Sequence, residues 1–142
     1  MSDKLDEGLK LDNQLCFPLY AAARKVVGAY TPFLKPLGLT YTQYIVFMVL
    51  WENDDLTVGE IGKKLMLDNG TLTPLLKKME EAGHLTRKRS EKDERVVTVS
   101  LTGEGKEMKN KVKGVPVEMK QCIKLDPGEA KTLYKILYKL LD

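Results

Sequence analysis

The spacing of apolar residues in this chain changes at Gly83, and that change limits the fold more than any other feature. Before the glycine, Leu72, Leu76 and Met79 lie three and four residues apart, as on one face of a helix. After it, Leu85, Arg87 and Arg89 alternate with Thr86 and Lys88, and residues 95–101 are rich in β-branched side chains: Val96, Val97, Thr98 and Val99. The polar residues 90–94 between these two runs make the charged tip of a β-hairpin. Upstream, Thr57-Val58-Gly59-Glu60 has the form of a capping box and opens a short helix through Ile61 and Leu65. The turn Met66-Leu67-Asp68 follows, and then a second helix. Starting that helix near Gly70 or Thr71 leaves Pro74 in the first turn, where its missing donor costs little. Gly83 supplies a left-handed stop. Two short helices so tightly joined make a helix-turn-helix, and the basic hairpin after them completes a winged-helix layout.

The flanking segments read as helical. Between Leu11 and Tyr30 the residues Leu15, Leu19, Ala22, Val26 and Tyr30 mark one buried helix face, with Pro18 tolerated in its first turn. Residues 31–39 carry two prolines and a glycine and predict a turn-rich connection. Thr40-Tyr41-Thr42-Gln43 is a second capping box, ahead of a helix running to about Trp51 whose apolar face places it centrally. Thr102 caps a Lys-rich helix that Pro116 should end or bend. Asp126-Pro127-Gly128-Glu129 precedes a last helix with the stripe Leu133, Ile136, Leu137, Leu140 and Leu141. The fold class is therefore mainly α with a small hairpin wing.

At 142 residues the chain fits one domain. No run of about 18 apolar residues and no charged-then-apolar leader is present, so no membrane is expected as a partner and the expected location is the cytoplasm. The formal charge is only +3, so nucleic-acid affinity depends on where the cations sit. A helix of this kind fits the major groove, where each base pair shows a distinct pattern of donors and acceptors. Asn69, Thr71, Thr73 and Lys77 are the candidate groove contacts. Arg87, Lys88, Arg89 and Arg95 are candidates for phosphates or the minor groove. The alternative is a solvated charged hairpin beside an ordinary core helix. No Gly-rich phosphate loop, acid-base carboxylate pair or metal-ligand cluster is evident, so no enzyme, metal or cofactor is expected. His84 is given no metal or acid-base role, and Trp51 and the methionines are read as core. Cys16 and Cys122 lie too far apart in sequence for a metal motif and are judged singly.

The wing segment Asp93-Glu94-Arg95-Val96-Val97-Thr98-Val99-Ser100-Leu101-Thr102 resembles the Asp-x-Arg and Leu-Thr signature of MarR-type regulators. The segments Leu15-Cys16-Phe17-Pro18-Leu19-Tyr20, Leu39-Thr40-Tyr41-Thr42-Gln43-Tyr44, Leu67 to Lys77 and Arg87 to Arg95 are similar, in order, to the organic-hydroperoxide sensors of that family. The resemblance implies a homodimer with a winged-helix region at about residues 40–102 and dimerisation helices from residues 11–39 and 103–142. Paired recognition helices would read a palindromic operator in double-stranded DNA. By the same resemblance Arg95 enters the minor groove and Asp93 holds it.

The resemblance also makes Cys16 the redox-sensing residue, oxidised by organic hydroperoxide as the effector. A thiolate attacks a peroxide, and a helix N-terminus favours the anion. Tyr30 and Tyr41, with Tyr20 in a lesser part, are the implied hydrogen-bond donors, and Phe17, Phe33, Phe47 and Met48 are apolar neighbours for an alkyl group. Cys122 falls near the resolving cysteine of a two-cysteine subclass; it is either that residue or an unreactive, semi-buried thiol. Two alternatives stand beside a peroxide-released repressor: a MarR-type repressor released by a small aromatic ligand, and a thiol peroxidase whose basic wing is unimportant.

Overall fold

The computed structural model describes residues 6–142; residues 1–5, counted in the single-domain reading, lie outside this description. Tyr30–Gly114 forms one compact unit, and the segments on either side of it form another.

The central unit opens with the short helix α2 (Thr31–Leu34), numbered after α1 of the terminal unit, and a 3-10 turn (Lys35–Leu37). Each holds its proline at the start, where no backbone donor is needed. Helix α3 (Tyr41–Glu52) begins with the predicted capping box: the Gln43 amide donates to Thr40 Oγ1 over 3.3 Å, and the Thr40 amide donates to Gln43 Oε1 over 3.2 Å. Tyr44, Val46, Phe47 and Leu50 of α3 are buried, which confirms its central place. Burying a side chain of this size fully is worth about 1.5–3 kcal/mol.

Strand β1 (Leu56–Thr57) leads into α4 (Val58–Leu65), whose capping box joins Thr57 and Glu60. The strand is too short to show alternation, so sequence pattern does not predict it. Met66, at φ 56°, turns the chain. Helix α5 (Asn69–Glu81) then starts earlier than expected, because the Asp68 carboxylate accepts the Thr71 amide over 2.7 Å and makes Asp68 the cap. Pro74 consequently lies inside the helix and not in its first turn. Leu72, Leu76 and Met79 bury one face of α5.

The end of α5 follows the expected stop. Gly83 takes φ +84°, its amide donates to the Glu80 carbonyl over 2.9 Å, and the His84 amide donates to the Met79 carbonyl over 3.0 Å. These two bonds satisfy carbonyls that the helix end leaves free. Strands β2 (Leu85–Arg89) and β3 (Val97–Leu101) pair antiparallel with Arg87 opposite Val99, and β1 adds to the far edge of β3. Arg95 and Val96, predicted as the start of the second strand, belong to the hairpin tip.

Helix α6 (Gly103–Lys111) is capped by Thr102, whose side chain accepts the Gly105 amide over 3.1 Å and donates to the Gly83 carbonyl over 2.6 Å. Trp51 Nε1 donates to the Gly105 carbonyl over 3.0 Å while its ring stacks on Phe47 at 5.2 Å. The joint ties α3, the exit of α5 and the start of α6 together. Trp51 is thus a half-buried anchor of this joint, while Met48 and Met66, also read as core, are exposed.

The terminal unit holds α1 (Cys16–Ala29), α7 (Val115–Cys122) and α8 (Pro127–Leu141). The first predicted helix is shorter than its apolar spacing suggested: a separate 3-10 turn covers Leu11–Asn13, and Tyr30 caps α2. Pro18 falls in the first turn of α1 as required. The predicted buried face is corrected, since α1 has no buried residue and Leu15, Leu19 and Val26 are exposed. Pro116 neither ends nor bends the Lys-rich helix. That helix stops at Lys111, and Pro116 stands second in α7, where a missing N–H is free of cost. Helix α8 carries the third capping box, between Asp126 and Glu129, with Pro127 at its first position. Its Leu133, Ile136, Leu140 and Leu141 are exposed. No single helix among the described residues is long and apolar enough to cross a membrane.

Candidate nucleic-acid interface and thiol sites

Helix α5 buries leucines on one side and leaves Asn69, Thr71, Thr73 and Lys77 exposed on the other. Asp68 fixes the start of that surface: hydrogen bonds from the Thr71 amide and side chain hold its carboxyl below the usual carboxylate range. Asn69 and Thr73 share a cleft of 260 Å³ with Thr57, Val58, Arg95 and Val97. The structure therefore brings the helix start and the wing tip to one place.

The tip is tied internally. Arg95 donates its amide to Asp93 Oδ1 over 3.0 Å and its Nε to the same oxygen over 3.3 Å. The Arg95 side chain is nonetheless 92% exposed, so Asp93 orients the guanidinium without hiding it. Arg89 Nη1 donates to the Glu94 carbonyl over 2.8 Å, and the Ser90 amide donates to the Val96 carbonyl over 2.8 Å. Lys88 and Arg89 are exposed.

Arg87 departs from the expected set of free cations. Its amide donates to Glu80 Oε2 over 2.8 Å and its Nη2 to Glu80 Oε1 over 3.2 Å, so the guanidinium is folded onto α5. As the third residue of β2 after Leu85, Arg87 faces the helix rather than solvent. Arg87 braces the wing against the recognition helix, and Glu80, which sequence reasoning passed over, is the residue that holds it there.

Cys16 is the first residue of α1, and Cys122 is the last of α7; both thiols are free and exposed. The Arg24 guanidinium lies 5.5 Å from the Tyr20 ring centroid, within cation–π range. Among the predicted apolar neighbours, Phe47 is corrected: it is fully buried, stacked on Trp51, and offers no surface to a ligand. His84 meets the Phe47 ring edge-on at 5.3 Å.

Tyr30 and Tyr41 do come together, with ring centroids 4.8 Å apart, and Tyr44 completes a triangle at 5.7 Å from Tyr30 and 6.3 Å from Tyr41. The sequence reading did not single out Tyr44, although its place three residues after Tyr41 sets both on one helix face. Burial, and then the neighbouring phenols, push Tyr30 and Tyr44 above the ordinary 10.0. Both phenols are therefore donors at neutral pH. Folding favours their protonated form, so their contribution to stability is fully present below about pH 10 and is lost as pH rises through the raised values. In an ultraviolet tyrosinate titration, Tyr30→Phe and Tyr44→Phe should each remove a late-ionising component. A titration in which all 6 tyrosines ionise together near 10.0 would contradict the cluster.

A helix-turn-helix with an exposed polar face, a braced hairpin and a presented arginine defines a winged-helix, DNA-binding transcriptional regulator. Comparison with known proteins agrees. Residues 29–112 match the family model described as transcriptional regulator SarA/Rot. The chain is 46% identical over 142 residues to the organic hydroperoxide resistance transcriptional regulator of Bacillus subtilis, covering 100% of this chain and 96% of that one. It is 34% identical to AbfR of Staphylococcus epidermidis in its reduced, DNA-bound structure, with a TM-score of 0.79 over 98% of this chain and 96% of that chain. A disulfide-formed AbfR matches at 33% identity and a TM-score of 0.66 over 100% of both chains. The chain belongs to the MarR and SarA/Rot family of transcriptional regulators, in the group of the organic hydroperoxide resistance regulators.

Proposed function

We propose that this regulator is a cytoplasmic homodimer that represses its target from a palindromic operator and leaves the DNA when organic hydroperoxide oxidises Cys16. It acts as a regulator and not as an enzyme. The observation that carries the reading is the free, exposed thiol at the first helical residue of α1. The relative in Bacillus subtilis is named for organic hydroperoxide resistance, and AbfR has been solved both reduced on DNA and in a disulfide form.

The chemistry balances as follows. The Cys16 thiolate attacks the terminal oxygen of ROOH; an S–O bond forms as the O–O bond breaks, and the alkoxide takes a proton and leaves as ROH. Sulfur is oxidised to the sulfenic acid and the peroxide is reduced. Tyr30 and Tyr41 donate hydrogen bonds to the thiolate of the partner subunit, with Tyr20 in a lesser part. Cys122 of the partner subunit then condenses with the sulfenic acid, forming the S–S bond and releasing water. That bond needs α-carbons within about 7 Å. The exposed apolar residues of α1 and α8 support dimerisation, since a second copy would cover them.

On DNA, Asn69, Thr71, Thr73 and Lys77 enter the major groove, Lys88 and Arg89 meet phosphates, and Arg95, held by Asp93, enters the minor groove. Arg95→Ala should weaken operator binding and reduce the slope of log K against log salt by about one. An unchanged slope would count against that contact. The test of the whole reading is a mobility shift on DNA upstream of the chain's own gene, with and without cumene hydroperoxide, followed by intact-mass measurement without reductant. Retained binding after full oxidation of Cys16 would overturn it.

A further inference from the structure

We propose that Tyr44 is a positioning residue for the peroxide-sensing step, acting through its ring and not its hydroxyl. The inference rests on the reading that Tyr30 and Tyr41 donate hydrogen bonds to the sensing thiolate. Those two side chains are half-buried, whereas Tyr44 is only 2% exposed. Its ring stands at 5.7 Å from Tyr30 and 6.3 Å from Tyr41, with interplanar angles of 45° and 49°. Tilted contacts at these distances are the favourable ones for aromatic pairs.

The backbone behind each ring is fixed. Tyr41 and Tyr44 lie one turn apart on α3, whose start is locked by the Thr40 capping box, and Tyr30 caps α2. The Tyr30 carbonyl accepts the amides of Phe33 and Leu34, each over 3.0 Å, which holds that residue against the short helix. Tyr44 is therefore a wall on which the two donors lean. Each donor has a rotatable χ1, and an sp³ torsion without a packed neighbour visits more than one staggered well. A Leu at position 44 would preserve an apolar core side chain while removing the flat surface that selects one well for both donors. A Phe would keep that surface.

The test uses full-length dimer, cumene hydroperoxide and a sulfenic-acid probe on Cys16. Tyr44→Phe should be oxidised within about two-fold of the wild-type rate. Tyr44→Leu should be slowed about ten-fold, less than the roughly 10²–10⁴-fold that a positioned proton donor contributes, because the two donors are loosened and not removed. The pH profile of oxidation should shift upward in Tyr44→Leu and stay in place in Tyr44→Phe. Operator affinity of both reduced variants should equal that of the wild type, which separates positioning from a general loss of fold. A Tyr44→Leu protein oxidised at the wild-type rate sinks the inference, as does a Tyr44→Phe protein as slow as Tyr44→Leu. So does a parallel loss of operator binding in the reduced state. If the wild type itself is not oxidised at Cys16, the sensing reading fails first, and that result is distinct from the others.

Discussion

Cys16→Ser should bind the operator as tightly as the wild type and should no longer release it when organic hydroperoxide is added. The expectation follows from where the residue sits. Cys16 is exposed at the first position of α1, so exchanging sulfur for oxygen disturbs no buried packing and no helix hydrogen bond. A serine hydroxyl is almost wholly protonated at neutral pH and does not attack a peroxide, so the first covalent step is absent rather than slowed. A mobility-shift titration with cumene hydroperoxide should show a full loss of response with the reduced-state affinity unchanged. Normal release by the serine variant would remove Cys16 from the mechanism. Cys122→Ser distinguishes the later step: it should still form the sulfenic acid but no inter-subunit disulfide in non-reducing mass spectra.

The second large effect is on stability. A β-carbon at Gly105 would stand 2.0 Å from the His84 carbonyl oxygen and 3.0 Å from Leu101 Cδ2. The first obstacle is backbone, held in place by the Thr102 amide donating to that same oxygen over 3.1 Å. Gly105→Ala therefore has to push α6 away from the start of β2, which also pulls the Gly105 carbonyl from Trp51 Nε1. Overpacking of this kind costs about 3 kcal/mol or more, and a loss of that size lowers Tm by on the order of 10 °C in a chain of this length. A circular-dichroism melt within about 2 °C of the wild type would show that the joint yields.

Local chemistry made much of this fold readable from the chain. Thr40, Thr57 and Asp126 each cap the helix that their Gln or Glu partner predicts, because a capping box is settled within four residues. Gly83 ends α5 for the same reason. The failures needed information from further away. Pro74 sits inside α5 because Asp68 begins the helix sooner, and Pro116 opens a helix because the preceding one has already stopped at Lys111. Strand β1 exists only through its pairing with β3. At the site, Lys88 and Arg89 are exposed as wing cations, whereas Arg87 is turned inward by Glu80, a residue on another element. The tyrosine triangle was half legible: Tyr41 and Tyr44 share a helix face, while Tyr30 joins them only in three dimensions.

At the wing tip, Ser90, Arg89, Asp93 and Arg95 close the loop with bonds among residues 89–96 alone. The hydrogen bonds that aim the Arg95 guanidinium thus lie within one short cassette, which meets Asn69 and Thr73 of α5 across a shared cleft. The shape of the tip is thereby carried by the loop sequence itself, while the placement of the wing over α5 depends on the Arg87–Glu80 pair.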